Sequence, residues 1–222
     1  MNGKLFEERV GRLRDATIIA IFRVQAPAHA VEGIGAATRG GFEAVEITMN
    51  SPGATDAMSE VAGHTDAILG AGTVLEASQV KEAYDAGAEF IVTPTVNLEV
   101  IEAAHGLDLP VCMGASTPTE IRAAHKGGAD WVKVFPAEQL GGPDYISNIL
   151  APLDDVNILV TGGITGENYL GYLDAGAELV GFASAVFDPA LAAAGRYDEL
   201  ERRAVEINRR LDLYLTEASE TE

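Results

Sequence analysis

The chain has 222 residues, 47% of them hydrophobic, which is enough to bury one full core. Fifteen basic residues face thirty-four acidic ones, a formal net charge of −19 that excludes the basic footprint needed by a nucleic-acid or anionic-membrane partner. The single cysteine, Cys112, excludes an internal disulfide framework and, set beside Val111 in an apolar run, reads as a buried structural thiol.

No charged-then-apolar leader and no apolar run of spanning length is present, so the expectation is a cytoplasmic protein. Only four of the basic residues are lysines: Lys4, Lys81, Lys126 and Lys133. An acid-rich, lysine-poor surface points to a high-salt cytoplasm, where ions screen self-repulsion.

Residues 3–15 place apolar positions at helical spacing and predict a leading helix. The apolar run 17–23 follows and ends on Arg23. From there a unit repeats. A helix over 27–39 precedes a strand over 44–48, a helix over 53–62 a strand over 67–72, and a helix over 76–86 a strand over 89–94. Helices over 97–105, 118–126, 143–151 and 166–175 then precede strands over 109–114, 131–135, 156–163 and 179–184. Residues 196–215 predict a last charged amphipathic helix, and 216–222 an acidic tail that frays.

Apolar strands without period-2 alternation, interleaved with helices, indicate parallel strands covered on their outer faces. Eight such units predict a single (β/α)8 TIM barrel over 1–222, with an N-terminal and a C-terminal helix. A doubly wound open sheet would need a glycine-rich turn after its first strand, and none is there.

Barrel chemistry is built at the carboxyl ends of the strands. Those ends supply Arg23, Glu46 with Thr48, Gly72-Thr73, Thr93-Pro94, Gly114, Lys133 with Phe135-Pro136, Thr161-Gly162-Gly163 and Ala183-Ser184. Lys133 is the anomaly, a charge inside an apolar strand. Such a lysine snorkels, pairs with a carboxylate, or serves as a free amine that attacks a ketone and forms a Schiff base. Glu46, the one acid inside an apolar strand near that end, can move the proton that the iminium acidifies. A buried Lys–Glu pair without chemistry is the plain alternative.

Glycines after strands seven and eight let backbone amides approach a phosphate, even in an acidic protein. Small residues at Gly70-Ala71-Gly72 and the Thr73 hydroxyl leave room for substrate, and Phe135 with Pro136 forms an apolar wall beside the lysine. His29, His64, His105 and His125 fall in helices or at their ends and read as surface residues. No metal-ligand spacing is present, so neither metal nor cofactor is expected.

The segments Val-Glu46-Ile-Thr, Gly70-Ala71-Gly72-Thr73-Val74, Thr93-Pro94, Val132-Lys133-Val134-Phe135-Pro136-Ala137-Glu138 and Thr161-Gly162-Gly163-Ile164 resemble the 2-keto-3-deoxy-6-phosphogluconate aldolase family over about residues 17–188. The resemblance implies a homotrimeric barrel and a metal-free class I aldolase. It would cleave the phosphorylated keto sugar acid to pyruvate and glyceraldehyde 3-phosphate, the last step of an Entner–Doudoroff-type pathway. It implies Lys133 as the Schiff-base lysine, Glu46 as the proton-transferring acid, Thr73 and Pro94 as pocket residues, and Gly162, Gly163 and Ser184 as the phosphate site.

Many phosphogluconate enzymes carry an arginine in the segment after Glu-x-Thr, where this chain reads Met49-Asn50-Ser51-Pro52. That local run resembles the related 2-keto-3-deoxy-6-phosphogalactonate aldolases, while Ala137-Glu138 leans toward the phosphogluconate branch. Carboxylate binding would then fall to Arg23, Thr73 or backbone amides. A different phosphate-binding barrel enzyme, or a phospho-sugar-acid binding protein with no Schiff base, stays open at this point.

Overall fold

The computed structural model describes residues 3–219. Helix α1 (Gly3–Ala16) leads into β1 (Ile18–Phe22), α2 (Pro27–Arg39), β2 (Ala44–Thr48), α3 (Ala54–Ala62), β3 (Ile68–Gly72), α4 (Ala77–Asp85), β4 (Phe90–Thr93) and α5 (Leu98–His105). The second half runs β5 (Val111–Ala115), α6 (Pro118–Lys126), β6 (Trp131–Val134), α7 (Ala137–Leu140), α8 (Gly142–Leu150), β7 (Ile158–Thr161), α9 (Tyr169–Asp174), β8 (Leu179–Phe182), α10 (Pro189–Ala193) and α11 (Tyr197–Ser219). The eight strands pair in parallel in chain order, and β8 closes on β1, so the sheet is the expected (β/α)8 barrel.

Local signals set the element boundaries. Helix α6 begins at a capping box, in which the Thr117 hydroxyl accepts from the Glu120 amide and the Glu120 carboxylate accepts from the Thr117 amide. Pro118 follows at the position where a missing amide proton costs nothing. At the other end the chain must reverse into β6. Gly128 does so with φ 98°, a conformation that a side chain would strain.

Alternation along each strand separates two cores. Outward residues such as Ile18, Phe22, Val45, Ile47, Val132 and Val160 pack under the helices. Inward residues Ile19, Ala44, Ile68, Phe90, Cys112, Trp131, Leu159 and Leu179 fill the lower barrel, and Leu13 and Ala16 of α1 close it from below. The Trp131 indole nitrogen donates to Glu178 Oε2 at 2.9 Å, so this large ring is satisfied as well as buried. The leading helix is thus the barrel's plug, and truncating fully buried Leu13 to alanine would cost about 2–5 kcal/mol.

Three features depart from the sequence expectation. The single-turn helices α7 and α10 were not anticipated. Helix α11 continues to Ser219, so residues 216–219 are helical where fraying was expected; 220–222 lie outside the described residues. Its Leu200, Ala204, Ile207 and Leu211 are buried at helical spacing, and packing of that stripe carries the charged last turns with it. No described helix is long and apolar enough to cross a membrane.

Candidate active site

One step toward the mouth from the lower layer, the inward positions are Ile21, Glu46, Gly70, Val92, Gly114, Lys133, Thr161 and Gly181. Three of these eight are glycines, and each makes room. A Cβ at Gly70 would lie 2.2 Å from the Phe90 ring, one at Gly114 2.1 Å from the Pro94 carbonyl carbon, and one at Gly181 2.6 Å from Thr161 Cγ2. Phe90, Pro94 and Thr161 take up those three spaces, and the same layer carries the Lys133 amine and the Glu46 carboxylate.

Glu46 is 1% exposed, and among the described residues neither carboxylate oxygen has a hydrogen-bond partner. Burial pushes its pKa above the ordinary glutamate value, and the positive charges of Lys133 and Arg23 pull it only partly back. Lys133 is 8% exposed, with Nζ 5.7 Å from the centre of the Phe135 ring. The two charges therefore act on one another inside the barrel without a hydrogen bond between them. Cys112, fully buried one inward step below Gly114, has its thiol pKa pushed far up by burial, consistent with a structural role.

Above this layer opens a cleft of about 300 Å³ lined by Ile21, Arg23, Thr48, Phe135, Ala183, Ser184, Phe187 and Pro189. It brings together Arg23, Phe135 and Ser184. Phe135, 42% exposed, follows Lys133 on the β6 loop and precedes a cis proline; its carbonyl accepts from the Ser116 hydroxyl at 2.6 Å. The Thr161 hydroxyl is buried and unpartnered on the inward face of β7.

Gly162 and Gly163, at φ 90° and 82°, turn the chain past the β6 loop. A Cβ on Gly163 would lie 2.3 Å from Glu138 Cβ. Thr73 and Pro94 directly follow β3 and β4 and do not line the cleft. Thr73 holds φ 56°, a left-handed conformation costly for a β-branched residue and one that concentrates at functional sites.

The structure adds contacts that sequence reading missed. Glu138 Oε2 accepts from the Tyr172 hydroxyl at 2.8 Å and from Asn168 Nδ2 at 3.2 Å, and Asn168 Nδ2 also donates to the Gly163 carbonyl. Burial and this carboxylate push the Tyr172 hydroxyl pKa up. Thr48 and Ser51 bond to one another beneath the cleft. Thr48, already among the strand-end residues named from the sequence, shares the inward face of β2 with Glu46.

The histidines lie away from the mouth as expected, but three of them are half-buried and partnered rather than plain surface residues. His105 meets Asp130 at 3.0 Å, His125 meets Asp155 at 3.4 Å, and His29 Nδ1 lies 2.8 Å from the Tyr197 hydroxyl. Among the described residues no cluster of three His, Cys, Asp or Glu could hold a metal ion.

The KDPG and KHG aldolase family model matches residues 10–203. The chain belongs to this family. It is 38% identical over 173 residues to the 2-dehydro-3-deoxy-6-phosphogalactonate aldolase of Escherichia coli K12, covering 77% of this chain and 84% of that protein. It is 33% identical over 198 residues to the KHG/KDPG aldolase of the same organism, covering 87% and 93%. A solved native KDPGal structure superposes with a TM-score of 0.82 at 33% identity, covering 90% of this chain and 96% of that one. The protein is thus an aldolase, a lyase on a TIM-barrel scaffold.

Proposed function

We propose that this aldolase cleaves 2-keto-3-deoxy-6-phosphogluconate reversibly to pyruvate and glyceraldehyde 3-phosphate, by a Schiff base on Lys133 with Glu46 as the proton carrier. The observation that carries this reading is the Glu46 carboxylate, buried without a hydrogen bond in the same barrel layer as the Lys133 amine. Buried charges so poorly satisfied stabilise a fold badly, which argues for chemistry over packing.

The Lys133 amine attacks the C2 carbonyl, and the carbinolamine loses water to give an iminium. The C4 hydroxyl gives its proton to the Glu46 carboxylate, directly or through one water, the C3–C4 bond breaks, and its electrons pass to the iminium as an enamine while the aldehyde leaves. Glu46 then returns a proton to C3, directly or through one water, and hydrolysis of the pyruvate iminium frees the lysine. An acid with a raised pKa suits both directions of that transfer.

Gly162 and Gly163 amides with the Ser184 hydroxyl hold the phosphate, in line with the family resemblance, and the inward Thr161 hydroxyl meets the substrate nearer the lysine. Arg23 and Thr73 meet the substrate's anionic ends, Phe135 walls the amine, and Pro94 shapes the far side of the mouth. The chain works as a cytoplasmic homotrimer of single-domain protomers, closes an Entner–Doudoroff-type pathway, and needs no metal or cofactor.

Preference for the galactonate epimer is the second reading. It is favoured by the 38% identical phosphogalactonate aldolase and by the Met49-Asn50-Ser51-Pro52 run. A cleavage assay coupled to pyruvate detection, run on both epimers, decides between them. Lys133→Ala must abolish cleavage of either; undiminished cleavage would contradict the Schiff-base route.

A further inference from the structure

Ser51 and Thr48 form a hydrogen-bond relay with a fixed direction. The Val24 amide donates to Ser51 Oγ at 3.1 Å, so that oxygen is an acceptor. Ser51 is only 6% exposed, and the partner for its own proton is Thr48 Oγ1 at 2.9 Å. Either hydroxyl can donate across that bond, but Ser51 does not line the cleft and Thr48 does, so only a free Thr48 proton has a place to find an acceptor. The relay therefore runs from Val24 through Ser51 to Thr48. It leaves the Thr48 proton as a donor with no partner among the described residues, although Thr48 is 2% exposed and lines the cleft.

Thr48 shares the inward face of β2 with Glu46 and stands about 6–7 Å further toward the mouth. Ser184 lies in the wall of the same cleft. A substrate attached at Lys133 and anchored by phosphate near Ser184 would run along this wall, with C3 toward Glu46 and C4 toward Thr48. The two sugar-acid epimers differ in where the C4 oxygen points.

We propose that the Thr48 hydroxyl, aimed by Ser51, donates a hydrogen bond to the C4 oxygen and so determines which C4 epimer is cleaved. The proposal rests on the Schiff-base reading above. Thr48 contacts substrate; Ser51 is a positioning residue.

The test compares kcat/KM for the two epimers in wild type, Thr48→Val, Thr48→Ser and Ser51→Ala, with Thr48→Ala as a second deletion should the valine variant fail to fold. Proton exchange at pyruvate C3 and borohydride trapping of pyruvate serve as readouts of the Lys133–Glu46 chemistry alone. Thr48→Val should lower kcat/KM on the preferred epimer by about 10–100-fold, change the other by less than about threefold, and leave exchange and trapping intact. Thr48→Ser should restore most of the preference. Ser51→Ala, which keeps the donor but frees its direction, should shrink the epimer ratio by about 3–10-fold.

An unmoved ratio in Thr48→Val, an equal loss on both epimers, a parallel loss of pyruvate exchange, or a wild type without epimer preference would each overturn the proposal. A wild type that does not trap pyruvate would overturn the Schiff-base reading itself, and this proposal with it.

Discussion

Gly72 and Glu46 compete for one volume: a Cβ at position 72 would lie 1.6 Å from Glu46 Oε1 and 2.3 Å from its carboxyl carbon. The glycine at the end of β3 is therefore the space in which the carboxylate stands. Gly72→Ala must push the carboxylate aside or shift the strand, with about 1–3 kcal/mol of overpacking strain. The matched control is Gly70→Ala, whose Cβ would strike the Phe90 ring at 2.2 Å instead. Both variants should lose several degrees of Tm. Pyruvate C3 exchange, measured well below either melting point, should fall by about 10²-fold or more in Gly72→Ala and far less in Gly70→Ala. Equal exchange in the two would show that Glu46 does not depend on that space.

Glu46 also gives the stability a pH dependence with a definite sign. Its folded pKa lies above the ordinary value of 4.5 because burial disfavours the charged form. A carboxyl raised on folding contributes stability that is complete below the unfolded pKa and is lost as pH rises through the folded one. Glu46→Gln removes that loss. Its Tm relative to wild type should therefore climb as pH rises from the ordinary glutamate value toward neutrality and above, by about 2–4 °C for each kcal/mol relieved. C3 exchange in wild type should fall on the acid side at a pH above 4.5, and Glu46→Gln should slow it about 10²–10⁴-fold. A Tm difference flat across that range would remove the buried charge from the account.

The barrel was legible because its strands are buried on both faces, so each reads as an unbroken apolar run set off by glycine or proline. Helices α2 and α6 fall where periodicity placed them, at 27–39 and 118–126. Single-turn pieces such as α7 and α10 are shorter than the helical period can register. Lys133 and Glu46 stood out by chemistry, as charges in apolar runs, and strand parity then aimed both inward. The relay from Val24 to Ser51 crosses 27 positions, and the Glu138–Tyr172 bond crosses 34. Contacts set by tertiary packing leave no trace in local pattern, which is why those two bonds emerged only with the fold.

Glu138 ties the β6 loop to the turn after β7 through Tyr172 and Asn168. Glu138→Ala strands the Tyr172 hydroxyl and loosens the Gly163 turn, costing about 1–3 kcal/mol. Cleavage of the phosphorylated substrate should show a KM raised about tenfold with kcat little changed, while pyruvate exchange, which has no phosphate to bind, stays at the wild-type rate. A loss confined to kcat would detach this network from phosphate binding.

Charge density predicts a salt response. Fifteen basic against thirty-four acidic residues leave a strong self-repulsion in dilute buffer. Molar potassium chloride should raise Tm by several degrees, most of it gained in the range where the Debye length falls from about 30 Å to 3 Å. A Tm and activity already maximal in dilute buffer would contradict a high-salt setting.

The proposed mechanism rests on Lys133 as the nucleophile. Incubation with pyruvate and borohydride, followed by peptide mass analysis, should add one pyruvate-derived mass to the peptide carrying Lys133 and leave Lys4, Lys81 and Lys126 unmodified. An unmodified Lys133, or an adduct on another lysine, would contradict the account.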